Sequence, residues 1–390
     1  MGRMPIEIAD PRAFSAPRNA AQEALIRLAQ ASLDAASASR AEEIDRALIS
    51  LLAGHLRADD ALWAMNLFTA APSAAAARQL WRGLIGAWRE ASAPSDGDDI
   101  VATLFAIPVV IVSGAPSDVP TAPVSSLTGV LHDVDRLTAL LRTHRALGGN
   151  LSFTLAAVLV AADAIDIPRL AMLLGWQKLS PGGGGAAREL HAVPMTVDPG
   201  QERVHLRFLI GTAIGSSAAD LFADTGAGEW AMPLAQELSR QLTATGRSVL
   251  CLPRPPQPPL LALQNGRAAQ REVGAQLFAS NAIRRFRASV GEPSAVISGH
   301  RCTAAMGGGE LRLSLSSSFD PREAEGFRCP LFASDRVGDV ATMLVDLMRD
   351  CRVTDVRVVA GVQPDRDPGT GMTLLFRADA IPEGKTVALH

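Results

Sequence analysis

The chain has 390 residues, more than one hydrophobic core usually supports, so we expect two or three domains. Apolar residues make up 48% of the chain and charged residues 20%, which indicates a folded globular protein and excludes a disordered one. The net charge of −3 gives no electrostatic basis for nucleic acid or an anionic membrane as the main partner. Tyrosine is absent and nearly all positive charge is arginine, a bias typical of a GC-rich bacterial genome.

The beginning of the chain and its apolar runs favour a cytoplasmic protein without membrane insertion. We expect residues 1–18 to be irregular, and acidic side chains stand there where a signal peptide would have its apolar core. The most apolar runs, residues 101–115 and 151–162, are both shorter than the roughly 18 residues that a spanning helix needs. Each is better explained as a buried strand or a short helix.

Residues 19–93 are rich in alanine and leucine and predict a helical module. Four apolar stripes with helical spacing follow one another, in the segments 24–33, 44–52, 62–68 and 80–88. Pro72 and Ser73 are a good stop and cap between the last two. Short antiparallel helices of this kind are typical of bundles and helical repeats, which commonly serve as docking surfaces.

Residues 100–252 predict an α/β domain, separated from the helical module by the polar linker 92–99. Residues 107–112 are a β-branched run interrupted by Pro108, typical of a central strand that is buried on both faces. The glycine-containing loop and the helix that follow have the outline of a nucleotide-binding unit. However, neither GxGxxG nor GxxxxGK[ST] occurs, so no cofactor is predicted. If this domain holds an enzyme pocket, we expect it near Gly114 and Asp118.

Residues 260–382 predict an α+β domain with a C-terminal β-hairpin, after a proline-rich connector at 253–259. Residues 260–290 have the longest helical pattern, and we expect it to break into two helices near Asn265 and Gly266. Later segments predict strands at 295–298, 311–315, 327–332, 353–362 and 372–376, with a helix at 336–350. The fold class is therefore α/β, with α+β as the alternative. A helical N-terminal module precedes a mixed sheet packed with helices, and the chain ends in a strand–helix–hairpin unit.

The four cysteines, Cys251, Cys302, Cys329 and Cys351, are widely spaced and form no CxxC pair. Three of them could formally join His300 in a Cys₃His zinc site. Structural zinc sites usually take their ligands in close pairs, and only His300 and Cys302 are close in sequence. We therefore interpret the cysteines as buried thiols and predict no metal.

The search for catalytic motifs yields one constellation, because neither GxSxG nor HExxH occurs. A β-hairpin could bring His300, Cys302, Glu310 and Asp320 together. Any hairpin gathers polar residues, so a structural role is the preferred interpretation. His205 lies in an alternating strand pattern and is expected to be a solvated or hydrogen-bonded strand residue.

The resulting hypothesis is a non-enzymatic subunit, adaptor or scaffold that binds a protein partner or associates with itself. One alternative is a small-molecule enzyme with a pocket near Gly114 and Asp118 or at the His300 hairpin. A second is a nucleic-acid-binding regulator that acts through the basic cluster Arg284, Arg285 and Arg287, for which binding should depend steeply on salt.

Overall fold

The computed structural model describes residues 20–57, 67, 71–91, 102–114, 125–148, 152–165, 190, 192–197, 202–214, 228–243, 249–289, 291–301, 309–317, 324–332, 335 and 337–363. The chain divides into two compact units, residues 1–91 and 92–390. Within the described ranges, no helix combines the length and the apolar character that crossing a membrane requires.

The described part of the first unit includes three mutually contacting helices. They are α1 (Ala20–Leu33), α2 (Ala38–Arg57) and α3 (Ala74–Ala91). The predicted cap is confirmed, since Ser73 Oγ accepts a hydrogen bond from the amide of Ala76 at 3.1 Å. The predicted stripe at 62–68 lies outside the described residues except for Leu67, which is helical and buried.

Small residues let α2 and α3 approach closely. A Cβ atom at Gly83 would lie 2.9 Å from Leu48 Cδ2, and one at Gly86 would lie 2.8 Å from Ile49 Cδ1. Both distances are shorter than real Cβ contacts, so a side chain at either position would require Leu48 or Ile49 to move.

A polar network joins the three helices. The Gln79 side-chain amide on α3 donates to Ser32 Oγ on α1 at 3.1 Å and to Asp45 Oδ1 on α2 at 2.6 Å. Ser32 Oγ in turn donates to the same Asp45 oxygen. Buried polar groups with several partners favour one packing arrangement over others, which gives the unit a defined core.

The described residues of the second unit form two four-stranded sheets. The first has the order β3-β5-β1-β6 with all neighbours antiparallel. Its strands are β1 (Ala102–Ser113), β3 (Ser152–Ala161), β5 (Arg203–Ile214) and β6 (Val249–Pro253). Two short strands, β2 (Ser125–Leu127) and β4 (Met195–Val197), pair separately.

Helices cover both faces of the first sheet. One face packs on α4 (Val134–Thr143) and α5 (Ala231–Leu242), which share a single apolar cluster with it. The other face contacts α6 (Pro259–Ser289). Every residue of β1 from 103 to 111 is buried, so the predicted central, doubly buried strand is confirmed.

The predicted break in the long helix is wrong, because α6 runs unbroken for 31 residues. Gly266 lies where the helix presses on the first sheet. A Cβ atom there would approach Leu206 Cδ1 to 3.0 Å and the Phe208 ring to 3.1 Å. Glycine at this position therefore permits close packing and does not end the helix.

The second sheet is mixed and has the order β10-β7-β8-β9. Its strands are β7 (Pro293–Arg301), β8 (Gly309–Ser317), β9 (Ala324–Pro330) and β10 (Val356–Gln363). Strand β10 pairs parallel to β7 after the crossover helix α7 (Val337–Asp350), and the other pairs are antiparallel. One face of the sheet packs on α7 and the C-terminal half of α6.

Helices and two sheets together make an α/β protein, as the sequence predicted. The predicted hairpin of strands near 295–298 and 311–315 is present as the β7–β8 pair. The predicted returning strand at 372–376 lies outside the described residues.

Candidate functional site

Two serine–histidine pairs lie in the second unit, one in each sheet. In the first sheet, Ser113 Oγ at the end of β1 and His205 Nε2 on β5 share a hydrogen bond of 3.0 Å. The next residue, Gly114, has a φ of +82°, which lets the chain leave the strand in a left-handed turn. His205 is thus a hydrogen-bonded strand residue, as its alternating segment predicted. Asp118, the other residue named for this pocket, lies outside the described residues.

Contacts from α6 hold this end of β5. The Gln270 amide donates to the carbonyl of Val204 at 3.0 Å, and Asn281 donates to Glu202 Oε2 at 2.7 Å. A histidine beside a serine can act as a general base for nucleophilic attack. Ser113 is only 1% exposed, however, so in this conformation its hydroxyl is closed to a substrate.

The second pair lies on β7, where Ser298 Oγ and His300 Nε2 are 2.9 Å apart. The strand register places Glu310 directly opposite His300 and Arg312 opposite Ser298. Arg312 Nε donates to Glu310 Oε1 at 2.5 Å. None of these four side chains is more than 4% exposed. The structure therefore brings together His300 and Glu310 of the predicted constellation, whereas Cys302 and Asp320 lie outside the described residues.

These four residues belong to a buried polar face of the second sheet. Alternate positions of β7 and β8 face the apolar cluster, and the positions between them include the buried polar residues Ser294, Ser298, His300, Glu310, Arg312, Ser314 and Ser316. Burying a charge is costly unless it is paired, which the Glu310–Arg312 contact achieves. The cluster has the residue types of a catalytic triad, but its carboxylate is engaged by an arginine.

The predicted basic cluster is largely paired within the protein. Arg285 makes a two-pronged contact with Glu325, and Arg287 Nε lies 3.0 Å from both carboxylate oxygens of Glu292. Arg287 also donates to two carbonyl oxygens of the turn after α7. Arg284 donates to a neighbouring side-chain amide on α6. Two of the three arginine charges are thus offset by carboxylates.

The described cysteines are protonated at neutral pH. Burial raises the pKa of Cys251 to about 11 and that of Cys329 to about 12. Burial and the neighbouring Asp350 also raise the pKa of Cys351. Thiolates, not thiols, are nucleophiles and metal ligands, so these cysteines are not prepared for either role.

Across the described ranges, no three His, Cys, Asp or Glu side chains are grouped closely enough to hold a metal ion. Cys302 lies outside those ranges.

A further cluster was not predicted from the sequence. Arg267 and Arg271, one turn apart on α6, both lie over the ring of Phe332, with their guanidinium carbons 5.3 Å and 5.5 Å from its centroid. The spacing of the arginines is visible in the sequence, but Phe332 is more than 60 residues away, and only the fold shows that it lies beneath them.

The chain matches no known family model, no curated protein and no solved structure. The function must therefore be argued from the molecule's own geometry.

Proposed function

We propose that the chain is a non-enzymatic subunit of a protein assembly and that α2 carries its docking surface. The supporting observation is a change along the outer side of this helix. Its first half exposes charged residues, among them Arg40, Glu43 and Arg46. From residue 47 onward it exposes Ala47, Ser50, Leu51 and Gly54.

We call these four residues the α2 strip. Leu51 is 46% exposed, and a Cβ atom at Gly54 would meet nothing within 4 Å. Small residues beside an exposed leucine let the backbone of a second helix approach closely, and the leucine then supplies apolar contact area. The strip therefore fits an apolar helix of a partner protein or of a second copy of the chain.

The burial of the serine–histidine pairs is consistent with this proposal. Ser113, Ser298 and His300 are all buried, and their hydrogen bonds connect strand residues within a sheet. Such bonds stabilise the sheets whether or not a substrate is present.

The test is affinity purification of the tagged chain from its native host, with mass spectrometry and absolute mass by light scattering. We expect a stoichiometric protein partner or a defined oligomer. The Leu51→Asp variant should lose most of this association, because a carboxylate would have to be buried in an apolar contact. The matched control is Leu33→Asp on α1, which makes the same substitution at a leucine of equal exposure (46%) outside the strip.

Equal loss in both variants would show that Leu51 is not the contact. Circular dichroism of both variants confirms that the helices are intact. A wild-type chain that purifies as a monomer with nothing bound would contradict the assembly proposal. It would favour the small-molecule enzyme, with the search for a pocket starting at Ser113, Gly114 and His205.

A further inference from the structure

The arginine–phenylalanine cluster consists of the Phe332 ring and two arginines of α6, Arg267 and Arg271. The two arginines differ in how their charges are balanced. Arg271 makes a two-pronged ion pair with Asp335. Its guanidinium also donates to the carbonyl of Pro330 at 2.9 Å. The charge of Arg271 is therefore offset, and both terminal nitrogens of its guanidinium are engaged inside the protein.

The same aspartate anchors the backbone at Phe332. The amide of Phe332 donates to Asp335 Oδ2 at 2.7 Å, and the amide of Asp335 donates to the carbonyl of Phe332 at 2.9 Å. The segment that carries Phe332 is thus tied to itself and to α6. The anchored backbone limits where the ring can lie, and the ring in turn limits where the guanidinium of Arg267 can lie before a ligand arrives.

Arg267 differs from Arg271 in its charge balance. Among the residues that the structure describes, no carboxylate pairs with Arg267 and no hydrogen bond of its guanidinium is formed. The side chain is partly buried, and burial lowers its pKa without an opposing acidic neighbour. A partly desolvated cation without a counter-ion is unfavourable, and the contact with Phe332 offsets only part of this cost.

We propose that Arg267, supported by Phe332, is an anion-binding subsite that takes a phosphate or carboxylate group. The guanidinium fork matches both groups in a two-pronged contact, and the partial exposure of Arg267 leaves it within reach of a ligand. This inference does not depend on the assembly proposal, since the anion can belong to a small molecule or to a protein side chain.

The experiment measures the thermal unfolding midpoint of the full chain in increasing sodium phosphate or sodium acetate, with sodium chloride holding the ionic strength constant. A ligand that binds the folded state raises the midpoint with the logarithm of its concentration above Kd. We expect such a rise for at least one of the two anions. A response to phosphate alone assigns a phosphoryl ligand, and a response to acetate alone assigns a carboxylate.

Two variants make the test specific. Arg267→Met keeps an unbranched side chain of similar length without the charge, and it should abolish the response. In the absence of either anion it should unfold at the same temperature as wild type or higher, because an unfavourable charge is removed. Arg284→Met removes an exposed arginine from the same helix and should respond like wild type. The proposal is overturned if the wild type responds to neither anion, or if Arg267→Met responds as strongly as wild type.

Discussion

At the scale of single residues, Gly211 occupies a position on β5 with no room for a side chain. A Cβ atom there would lie 2.3 Å from Phe105 Cζ and 2.9 Å from Leu155 Cδ2. The Phe105 ring cannot easily move aside, because it packs edge-on against Phe153 with ring centroids 5.8 Å apart. The packing at the centre of the first sheet therefore requires a glycine at position 211.

The Gly211→Ala substitution should therefore lower the free energy of unfolding by about 1–3 kcal/mol, the usual cost of overfilling a packed core. The control is Gly338→Ala on α7, where a Cβ atom meets nothing within 4 Å. That change should be neutral or stabilise by up to about 1 kcal/mol through helix propensity. Urea unfolding of both variants measures the difference, and equal midpoints would show that the sheet relaxes around the new methyl group.

Glu237 on α5 is a second residue whose surroundings predict a measurable effect. Its carboxylate accepts hydrogen bonds from Arg240 and Gln241 and lies 3.0 Å from Arg136 Nε on α4. Hydrogen bonding to Arg240 is the main reason that the pKa of Glu237 is lowered, and Gln241 and the charge of Arg136 act in the same direction. Burial opposes them.

Because the pKa of Glu237 is lower in the folded state, the charged form stabilises the fold at any pH above the value in the unfolded chain. This contribution is lost as the pH falls through the folded-state pKa. Glu237→Gln should therefore cost about 1 kcal/mol near pH 7, since both arginines are largely solvent-exposed, and progressively less as the pH falls below the unfolded-state pKa of about 4. Denaturation of both proteins from pH 3 to 7 checks this. The exposed Glu23→Gln change should show no comparable trend, and a pH-independent Glu237→Gln cost would contradict the argument.

At the scale of elements, the sequence predicts those whose pattern is local. The β-branched run at 107–112 indicates β1 because both faces of a central strand must be apolar. The helical period indicates α6, but Gly266 led to the prediction of a break that the helix does not have. The sequence does not show whether a glycine ends a helix or permits contact with Leu206 and Phe208. An intrinsic preference is thus overridden by tertiary packing.

The candidate sites were harder to predict than the elements. His300 and Glu310 lie on adjacent strands of one hairpin, so their proximity could be expected from the chain. Ser113 and His205 are 92 residues apart, and their hydrogen bond requires the register of β1 against β5. A register is set by all the contacts of two strands together, which no single motif reveals.

At the scale of the whole molecule, α6 links the two sheets of the second unit. Its N-terminal half contacts β5 and β1, and its C-terminal half shares an apolar cluster with the second sheet. A helix with two buried halves cannot lose one partner without exposing apolar surface to water. We therefore expect the two sheets to unfold together.

Leu313→Ala tests this coupling, because Leu313 is fully buried in the second sheet. The change should cost about 2–5 kcal/mol by opening a cavity. Native-state hydrogen exchange should then show the same loss of protection for β1 amides in the first sheet. Leu250→Ala on β6, where the side chain is 55% exposed, is the matched control and should change little. Loss of protection confined to β7–β10 would show that the sheets unfold independently.

The position of α6 also has a consequence for synthesis on the ribosome. When residues up to Pro253 have left the ribosome, every described strand of the first sheet is free to pair, but the helix that covers its second face has not yet emerged. Leu206 and Phe208 then face water in the nascent chain until residues 259–270 leave the exit tunnel. At an elongation rate of about 5–20 residues per second, that interval lasts on the order of seconds. A pause in translation while residues 259–270 are still inside the tunnel would prolong this interval, during which the sheet is most exposed to aggregation.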